Sequence, residues 1–382
     1  MIHRMSVLAM IAAGILLASV GLAQNVIENP AKPLAANADR KAELKEVLRI
    51  TDEGGQFYFK YPYQIRVSPN ESIFVVEQEQ LLQFDKGGAY VRNYFKKGQG
   101  PGEVQFVGGF IPTEQGLLVQ GMPGKLIFFD PKGAFVKETA LRGPLPSSRL
   151  VALQDGLFYF VATESPFKDM KGSEPTVISI PQYLLTWKEG QEQLEKRGEF
   201  GLESYALRAS GGGGGIMSLS AFLVAPVGSG RMVLSHTQDY LLKIFDPGSG
   251  SVMKSFRRPY ERVRYEPPKN PQGGMMIDGK QVSWPTRKYV SDVVNLCVVG
   301  SRIWVVTSTQ DKDQNPLVDV YDFDGRYLDR FYLARPPGAK RLGLGPGNAV
   351  IQGRNIYLIE RDEEEGSAIV KYEIIDPGAP VR

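Results

Sequence analysis

Short apolar runs separated by turn residues recur along most of the chain, and this spacing predicts strands rather than helices. The segment Lys125–Leu141 shows the repeated unit most clearly. Its two β-prone runs, Leu126–Phe129 and Ala134–Val136, flank the sequence Asp130-Pro131-Lys132-Gly133. Asp at the first, Pro at the second and Gly at the fourth position are favoured in a type I turn. The segment is therefore predicted to be a β-hairpin.

Hairpins of this kind recur along the chain at intervals of 45 to 76 residues. Their turns begin at Asp85, Asp130, Trp187, Asp246, Asp322 and Asp376. Each hairpin follows another apolar strand, and these strands are predicted at Ile73–Glu77, Leu117–Gly121, Leu157–Thr163, Met232–Ser235, Ile303–Ser308 and Ile356–Glu360. A period of this size with about four strands per unit is typical of propeller blades. We therefore expect an all-β fold, a six-bladed β-propeller of four-stranded antiparallel blades, with seven or eight blades or a β-sandwich as the alternatives.

The sixth unit lacks an outer strand, because the chain stops soon after the turn at Asp376. An isolated strand predicted at Lys45–Thr51 can take that place, which would close the ring and remove two open sheet edges. Residues 44–382 are accordingly expected to form a single propeller domain. Residues 24–43 are rich in Ala, Asn and Pro, and we expect them to form a disordered leader.

Residues 1–23 have the pattern of a secretory signal peptide. His3 and Arg4 precede the apolar run Val7–Val20, and Gly21-Leu22-Ala23 supplies small residues for cleavage before Gln24. The apolar run is shorter than the ~20 residues that span a bilayer. We expect a cleaved signal, a periplasmic or secreted protein and no transmembrane span, with an uncleaved anchor as the alternative.

Charge and cysteine content limit the partners and the chemistry. The chain has 45 basic and 42 acidic residues, and this near-neutral balance predicts no nucleic-acid partner. Cys297 is the only cysteine, so no internal disulfide can form, and its apolar surroundings predict a buried thiol. With 42% hydrophobic residues, the protein can be stabilised by its core. We expect a monomer.

Several segments near the start of the domain resemble those of secreted bacterial six-bladed β-propellers of the NHL type. They are LKEVLRITDEGG from Leu44, the Ile65–Val67 strand, LLQFDKGGAYVRNYF from Leu81, and GQGPGE at Gly98–Glu103. A weaker copy of the last motif occurs at Gly343–Gly347. The resemblance implies the propeller architecture and secretion, and it implies no particular reaction.

The motif Gly98–Glu103 is expected to be the loop that crosses from blade one to blade two. Its glycines permit positive φ angles, and Pro101 fixes one φ angle. A functional alternative is that Gln99 and Glu103 line the mouth of the central channel and bind ligand. A phosphate-binding loop is excluded, because neither Gly-Lys-Ser/Thr nor a helix follows.

The long connections of the repeat all fall on one face of the predicted propeller. They are Glu164–Pro175, Phe200–Ser218, Glu261–Val290, Thr309–Pro316 and Arg361–Gly366. Long loops on one rim of a rigid scaffold often carry binding residues. The alternative is that these loops have no function, because lengthening a loop costs little folding free energy.

The loop Glu261–Val290 is the richest of these in binding chemistry. Its candidate ligand-binding residues are Arg264, Tyr265, Trp284, Arg287 and Lys288. Arginine and aromatic side chains on a proline-rich loop suit a protein, peptide, glycan or anionic small molecule. The alternative is a lid that packs on its own blade and buries Trp284.

Polar residues near the starts of the inner strands are expected to ring the channel mouth. Arg149 is a candidate ligand-binding residue there. Glu103, Asp292 and Asn348 have hard oxygen atoms that could hold Ca²⁺, by analogy with propeller hydrolases of the gluconolactonase type. The main prediction is nevertheless a binding or scaffold module without a cofactor, and a calcium-dependent hydrolase is the alternative.

Catalytic residues of the common kinds are scarce. His236 is the single histidine outside residues 1–23, which excludes zinc sites with several histidines. No GxSxG motif accompanies it, so a serine hydrolase triad is not predicted. The sequence therefore assigns no catalytic residue.

Overall fold

The computed structural model describes residues 26–52, 54–122, 124–142, 148–165, 174–208, 214–267, 275–277, 280–336, 342–362 and 366–376. The predicted signal peptide, residues 1–23, lies outside these ranges. The described residues form strands, turns and bridges without any helix. This part of the chain consequently has no helix of the length and apolarity that membrane crossing requires.

The strands follow one another in six groups, here called blades one to six. The chain starts with β1 (Val26–Glu28) and β2 (Arg40–Ile50). Blade one contains β3 (Gln64–Val67), β4 (Ile73–Glu77), β5 (Gln80–Phe84) and β6 (Tyr90–Asn93). Blade two contains β7 (Phe106–Thr113), β8 (Gly116–Met122), β9 (Lys125–Phe129) and β10 (Phe135–Ala140). Blade three contains β11 (Ser148–Gln154), β12 (Leu157–Thr163), β13 (Thr176–Lys188), β14 (Glu195–Arg208) and β15 (Gly214–Ser218).

The second half of the chain continues the pattern. Blade four contains β16 (Phe222–Gly228), β17 (Arg231–His236), β18 (Leu242–Asp246) and β19 (Ser251–Arg257). A short hairpin, β20 (Met275–Ile277) and β21 (Lys280–Val282), precedes blade five. Blade five contains β22 (Val293–Val299), β23 (Arg302–Gln310), β24 (Pro316–Asp322) and β25 (Tyr327–Ala334). Blade six contains β26 (Ala349–Gln352), β27 (Asn355–Asp362) and β28 (Gly366–Ile375).

The first strand of each blade is its inner strand, and these strands surround a central channel. The inner strands β3, β7, β11, β16, β22 and β26 contact each other in that order, and β26 returns to β3. Within each blade, consecutive strands pair antiparallel. The all-β prediction is confirmed, and four consecutive strands form blades one, two, four and five, whereas blade three has a fifth strand and blade six has three of its own. The six predicted second strands agree with β4, β8, β12, β17, β23 and β27 to within two residues at either end.

The apolar core of the described residues is divided into six clusters, and each cluster lies between two consecutive blades. Phe74 of blade one and Val119 of blade two belong to one of them. Tyr357 of blade six packs with Ile65 of blade one in another, so the contact between the last and first blades has the same apolar character. Burial of these faces supplies the main stabilisation of the ring.

Aspartate side chains set the geometry of the hairpin turns. The Asp85 carboxylate accepts hydrogen bonds from the amides of Gly87 and Ala89, both at 2.9 Å. The Asp130 carboxylate accepts one from the Ala134 amide at 2.8 Å. The glycine at the fourth position has a φ of +80° in the Asp130 turn, a conformation that other residues rarely adopt. The residues that identify the repeat in the sequence are thus the residues that make its turns.

The prediction of a disordered leader is wrong for the described residues 26–43. β1 pairs parallel with β19, the outer strand of blade four. The Asn29 side chain donates to the Gly325 carbonyl at 2.9 Å and accepts from the Tyr327 amide at 3.0 Å. A segment without an apolar pattern is ordered here because outer strands offer unpaired backbone groups.

The strand β2 joins blades five and six. Its residues Glu43–Ile50 pair antiparallel with β28, and Arg40–Glu43 pair parallel with β25. The Arg40 guanidinium donates to Asp329 at 2.8 and 2.9 Å and to Asp376 at 2.6 Å. The two blades therefore share one eight-stranded sheet. Residues 26–50, which run along blades four, five and six, are called the strap below.

Three of the predicted long connections are shorter than expected. In the segment Phe200–Ser218, β14 extends to Arg208 and pairs with β15, so the described part of it is a hairpin. Thr309–Pro316 forms a tight turn in which Asp311 accepts from the Asn315 amide at 2.9 Å. β27 and β28 pair as far as Asp362 and Gly366. Long loops were predicted at these segments because they contain glycine and acidic residues, but such residues also occur at strand ends and hairpin tips.

A buried ion pair joins blades four and five. The Asp319 carboxylate is fully buried and accepts from Arg258 at 2.6 and 2.9 Å, from Tyr240 at 2.6 Å and from Tyr327 at 2.5 Å. The guanidinium carbon of Arg258 lies 4.9 Å from the ring centre of Tyr240 and 5.3 Å from that of Tyr260. Burial alone would lower the pKa of Arg258, but the charge of Asp319 raises it above its usual value.

Replacing Asp319 with Asn should lower the free energy of unfolding by about 3–5 kcal/mol, because Arg258 would remain buried without its counter-charge. Urea denaturation followed by circular dichroism would measure the change. The matched control is Asp324→Asn, which removes an exposed carboxylate paired with Lys254 and should cost ~0–1 kcal/mol. Equal unfolding midpoints for the two variants would contradict the prediction.

Candidate functional site

A cleft of about 760 Å³ opens on the face of the propeller that carries the connections between second and third strands. It lies between blades four and five and is closed on one side by the segment that leads to blade six. Its principal lining residues are Ser220, Ala221, Thr237, Val263, Tyr265, Arg287, Val290, Val294, Thr307, Ser308, Gln310, Arg335, Leu342 and Leu344. The volume is in the range of ligand-binding pockets, which is roughly 300–1,000 Å³.

The lining of the cleft combines apolar and basic groups. Valine and leucine side chains form much of the surface, with hydroxyl groups from Thr307 and Ser308. Arg287 and Arg335 are charged, and the described lining includes neither aspartate nor glutamate. This composition suits a ligand that has an apolar part and an anionic group.

The two ends of the loop Glu261–Val290 pair with each other beside the cleft. The Tyr265 amide donates to the Lys288 carbonyl at 3.1 Å, and the Val290 amide donates to the Val263 carbonyl at 3.0 Å. The Arg287 guanidinium donates to the Ser218 carbonyl at 2.6 Å, which ties the loop to the last residue of β15. The base of the loop therefore has a defined structure, with residues 268–274 and 278–279 outside the described ranges.

Arg262 anchors this loop to the start of blade five. Its guanidinium donates to the Asp292 carboxylate at 3.0 Å and to the Gln238 carbonyl at 2.8 Å. Its guanidinium carbon also lies 4.7 Å from the ring centre of Tyr289. Burial raises the pKa of Asp292, whereas the hydrogen bond and the charge of Arg262 lower it, and the effect of burial is the larger. Arg262 was not among the predicted site residues, because its role depends on a partner 30 residues away.

The predicted ligand-binding residues of the loop separate into two groups. Tyr265 and Arg287 line the cleft. Arg264 and Lys288 are exposed on the same pair of segments but lie outside the cleft lining, and Lys288 Nζ is 5.2 Å from the ring centre of Tyr289. Trp284 is half-buried and also lies outside the cleft lining.

The motif Gly98–Glu103 is attached to the outer part of blade two. The Glu103 carboxylate accepts from the Gly100 amide at 2.9 Å, so it closes its own loop. The Gly102 amide donates to Glu138 at 2.9 Å, and Lys125 Nζ donates to the Gly100 carbonyl at 2.9 Å. Gln99 is exposed, and neither Gln99 nor Glu103 lines the cleft or the channel. The geometry agrees with a crossing loop.

The three candidate calcium ligands have separate partners within the protein. Glu103 binds its own loop on blade two, whereas Asp292 pairs with Arg262 beside blade five. The Asn348 side-chain oxygen accepts from Arg361 at 3.4 Å. Across the described ranges, no group of three or more His, Cys, Asp and Glu residues is arranged to hold a metal ion.

Arg149 faces the central channel, where it is joined by a residue that the sequence analysis missed. A space of about 220 Å³ in the channel is lined by Arg66 of β3 and Arg149 of β11, together with residues of the inner strands of blades four, five and six. Arg66 lies in the Ile65–Val67 strand that carries the family resemblance. Every second side chain of an inner strand faces the channel, and this alternation could have identified Arg66 from the sequence.

His236 and Cys297 have environments that suit structural roles. The His236 ring is 5.1 Å from the ring of Phe222, and burial lowers its pKa, so it is neutral at pH 7. Cys297 is half-buried rather than fully buried, and it packs against the cluster between blades five and six. Burial raises the pKa of its thiol to about 12, so the thiolate is scarce at neutral pH.

Comparison with known proteins supports the propeller fold. The sequence profile of a family described as a 6-bladed beta-propeller matches residues 49–180. No curated protein matches the chain. The chain is similar in structure to a Bacteroides fragilis NCTC 9343 protein with "exported protein" in its description, at a TM-score of 0.50 and 14% identity, with 92% of this chain and 100% of that chain covered.

Two other solved structures share less of the geometry. BamB from Moraxella catarrhalis has a TM-score of 0.37 at 13% identity, and the match covers 86% of this chain and 99% of BamB. A gluconolactonase from Xanthomonas campestris has a TM-score of 0.42 at 12% identity, with 92% and 99% covered. The family profile supports a six-bladed β-propeller, and the NHL-type resemblance stays a prediction.

Replacing Arg262 with Ala should release the base of the loop, because the mutation removes the bonds to Asp292 and Gln238. Hydrogen exchange of the Tyr265 and Val290 amides should become about tenfold faster, since a hydrogen bond to a charged group contributes about 1.5–3 kcal/mol. The matched control is Arg264→Ala, two residues away and exposed. Equal exchange in the two variants would show that Arg262 does not hold the loop.

Proposed function

We propose that this protein is an extracytoplasmic binding module that holds a peptide segment of a partner protein in the cleft between blades four and five. The observation that supports this most directly is the composition of the cleft, which has an apolar lining, two arginines and no carboxylate in its described part. A peptide with apolar side chains and an acidic group complements this lining. The rigid strands on both sides require little reorganisation on binding.

The apolar lining favours a peptide over a glycan. Sugar rings commonly stack on exposed aromatic faces and use many hydrogen bonds, whereas the cleft has one aromatic side chain, Tyr265, in its described lining. Valine and leucine side chains instead match the side chains of a peptide. The acidic group of the peptide would meet Arg287, whose guanidinium already has one fixed contact with Ser218.

The proposal includes secretion, a monomer and no cofactor. The amino-acid pattern of residues 1–23 supports export, and a Bacteroides fragilis protein of similar structure has "exported protein" in its description. The near-neutral charge of the chain supports a partner other than nucleic acid.

A peptide selected from a random phage library against the whole protein should bind in the cleft. The variants Tyr265→Ala and Arg287→Ala should weaken its affinity about tenfold, which corresponds to 1.4 kcal/mol. Ala221→Trp should block binding, because Ala221 is exposed and lines the cleft. Fluorescence anisotropy with the labelled peptide would measure the dissociation constants.

The control for these variants is Arg264→Ala, which removes an exposed charge from the same loop outside the cleft lining. Its affinity should equal that of the unmodified protein. The proposal fails if the selected peptide binds the Ala221→Trp variant as tightly as the unmodified protein, or if the library yields no binder.

We also propose that β2 closes the ring and protects the edges of blades five and six. The paired register of β2 with β25 and β28 supports this role. The Arg40 guanidinium, which has carboxylates of Asp329 and Asp376 on both sides, supports it as well. Open edges of this length commonly lead to association between sheets.

Deleting residues 24–52 should therefore produce a protein that aggregates, as measured by size-exclusion chromatography with light scattering. A synthetic peptide with the sequence of residues 26–50 should restore a monomer when it is added during refolding, because it would occupy the vacated edges. A truncated protein that stays monomeric with an unchanged melting temperature would disprove the role in closure.

A further inference from the structure

The central channel contains two arginines that have no acidic partner in the described part of the chain. Arg66 lies on β3 of blade one and Arg149 lies on β11 of blade three, and both line the space of about 220 Å³. None of the ion pairs among the described residues involves either guanidinium. The other lining residues are apolar or neutral, and they include the buried Gln64 and Asn295.

The two guanidinium groups are near each other inside the ring. Arg66 donates to the Val151 carbonyl of β11 at 3.2 Å, so its side chain reaches the strand that carries Arg149. The inner strand of blade two, β7, lies between these two strands. Burial and the charge of Arg149 lower the pKa of Arg66 to about 10, and burial also lowers the pKa of Arg149.

Arg66 is partly buried and Arg149 is exposed to the channel space, and two like charges that face one narrow space repel each other unless a counter-charge joins them. Two arginines that lie between or beside blades have such a counter-charge, since Arg258 pairs with Asp319 and Arg40 pairs with Asp329 and Asp376. Arg66 and Arg149 differ because they face an open space instead of a carboxylate. A guanidinium can bind two oxygens of one anion through parallel hydrogen bonds.

We propose that Arg66 and Arg149 form a binding site in the central channel for a small oxyanion, either a phosphate, a sulfate or the carboxylate of a small molecule. This site is separate from the peptide cleft, although Pro346 lines both spaces. The volume of the channel space admits an anion or a small anionic metabolite, and it is too narrow for a folded partner.

Isothermal titration calorimetry on the full-length chain at constant ionic strength would test the site with inorganic phosphate, sulfate and acetate. At least one of these anions should bind saturably, and Arg66→Gln and Arg149→Gln should each weaken that binding by tenfold or more. The matched control, Arg302→Gln, removes an exposed arginine from the first position of β23, outside the channel lining, and should leave the affinity unchanged. The comparison among the three anions distinguishes a phosphate, a sulfate and a carboxylate site.

A second measurement separates loss of the site from loss of the fold. In buffer without oxyanions, the glutamine variants should melt at or above the temperature of the unmodified protein, because one of two repelling charges is gone. If a glutamine variant does not fold, Arg66→Lys and Arg149→Lys can replace it, because they keep the positive charge. These lysine variants should bind the anion several-fold more weakly, because an ammonium group lacks the planar pair of N–H donors of a guanidinium.

Where phosphate or sulfate is the anion that binds, crystals soaked in selenate should show an anomalous peak between the two guanidinium groups, and selenate at other positions only would overturn the proposal. The proposal is overturned if none of the three anions binds saturably to the unmodified protein. It is also overturned if the glutamine variants, or the lysine variants in their place, bind as tightly as the unmodified protein.

Discussion

The fold depends on one constraint, which is that each blade must bury both of its faces against two neighbours. The apolar residues satisfy it with six clusters between consecutive blades, including the one between Tyr357 of blade six and Ile65 of blade one. Because every cluster takes residues from two blades, a single blade has no complete core of its own. The stability of the protein is therefore a property of the closed ring.

The same constraint determines where polar chemistry can occur. Faces between blades are dry, so the Arg258–Asp319 pair inside one of them is fully enclosed and surrounded by tyrosines. The rim and the channel are the two places where the packed faces end. The cleft with Tyr265 and Arg287 lies at the rim, and Arg66 with Arg149 lies in the channel. Both sites have a rigid framework of inner strands behind them.

Much of the fold could be predicted from the sequence, because the turn residues of the hairpins act locally. Asp85 and Asp130 cap turns with their own carboxylates, and this pattern is visible in the residues themselves. The site was only partly predictable. Tyr265 and Arg287 were identified from a loop rich in arginine and aromatic residues. For Glu103, the predicted crossing loop agrees with a carboxylate that closes its own loop, whereas the alternative position at the channel mouth does not.

The residues that the sequence did not reveal act over long separations in the chain. Arg262 donates a hydrogen bond to Asp292 at the other end of a loop, and Arg66 of blade one donates one to Val151 of blade three. Asn29 accepts one from Tyr327, 298 residues later in the chain. Such contacts leave no periodic pattern in the sequence. The part of the strap before Lys45 was missed for this reason, since its backbone pairs with outer strands and does not depend on apolar side chains. The strand predicted at Lys45–Thr51 overlaps the end of β2, which pairs with β28.

The strap has a consequence for the order of events during synthesis. Its residues leave the ribosome before those of blades four, five and six, yet its hydrogen-bond partners lie 228 to 336 residues later in the chain. Contacts at this separation form slowly, because a long loop must close before any of them is made. The strap therefore has to wait unpaired until nearly all of the chain has emerged. The chain therefore depends on staying unfolded in this region until its last blade is available.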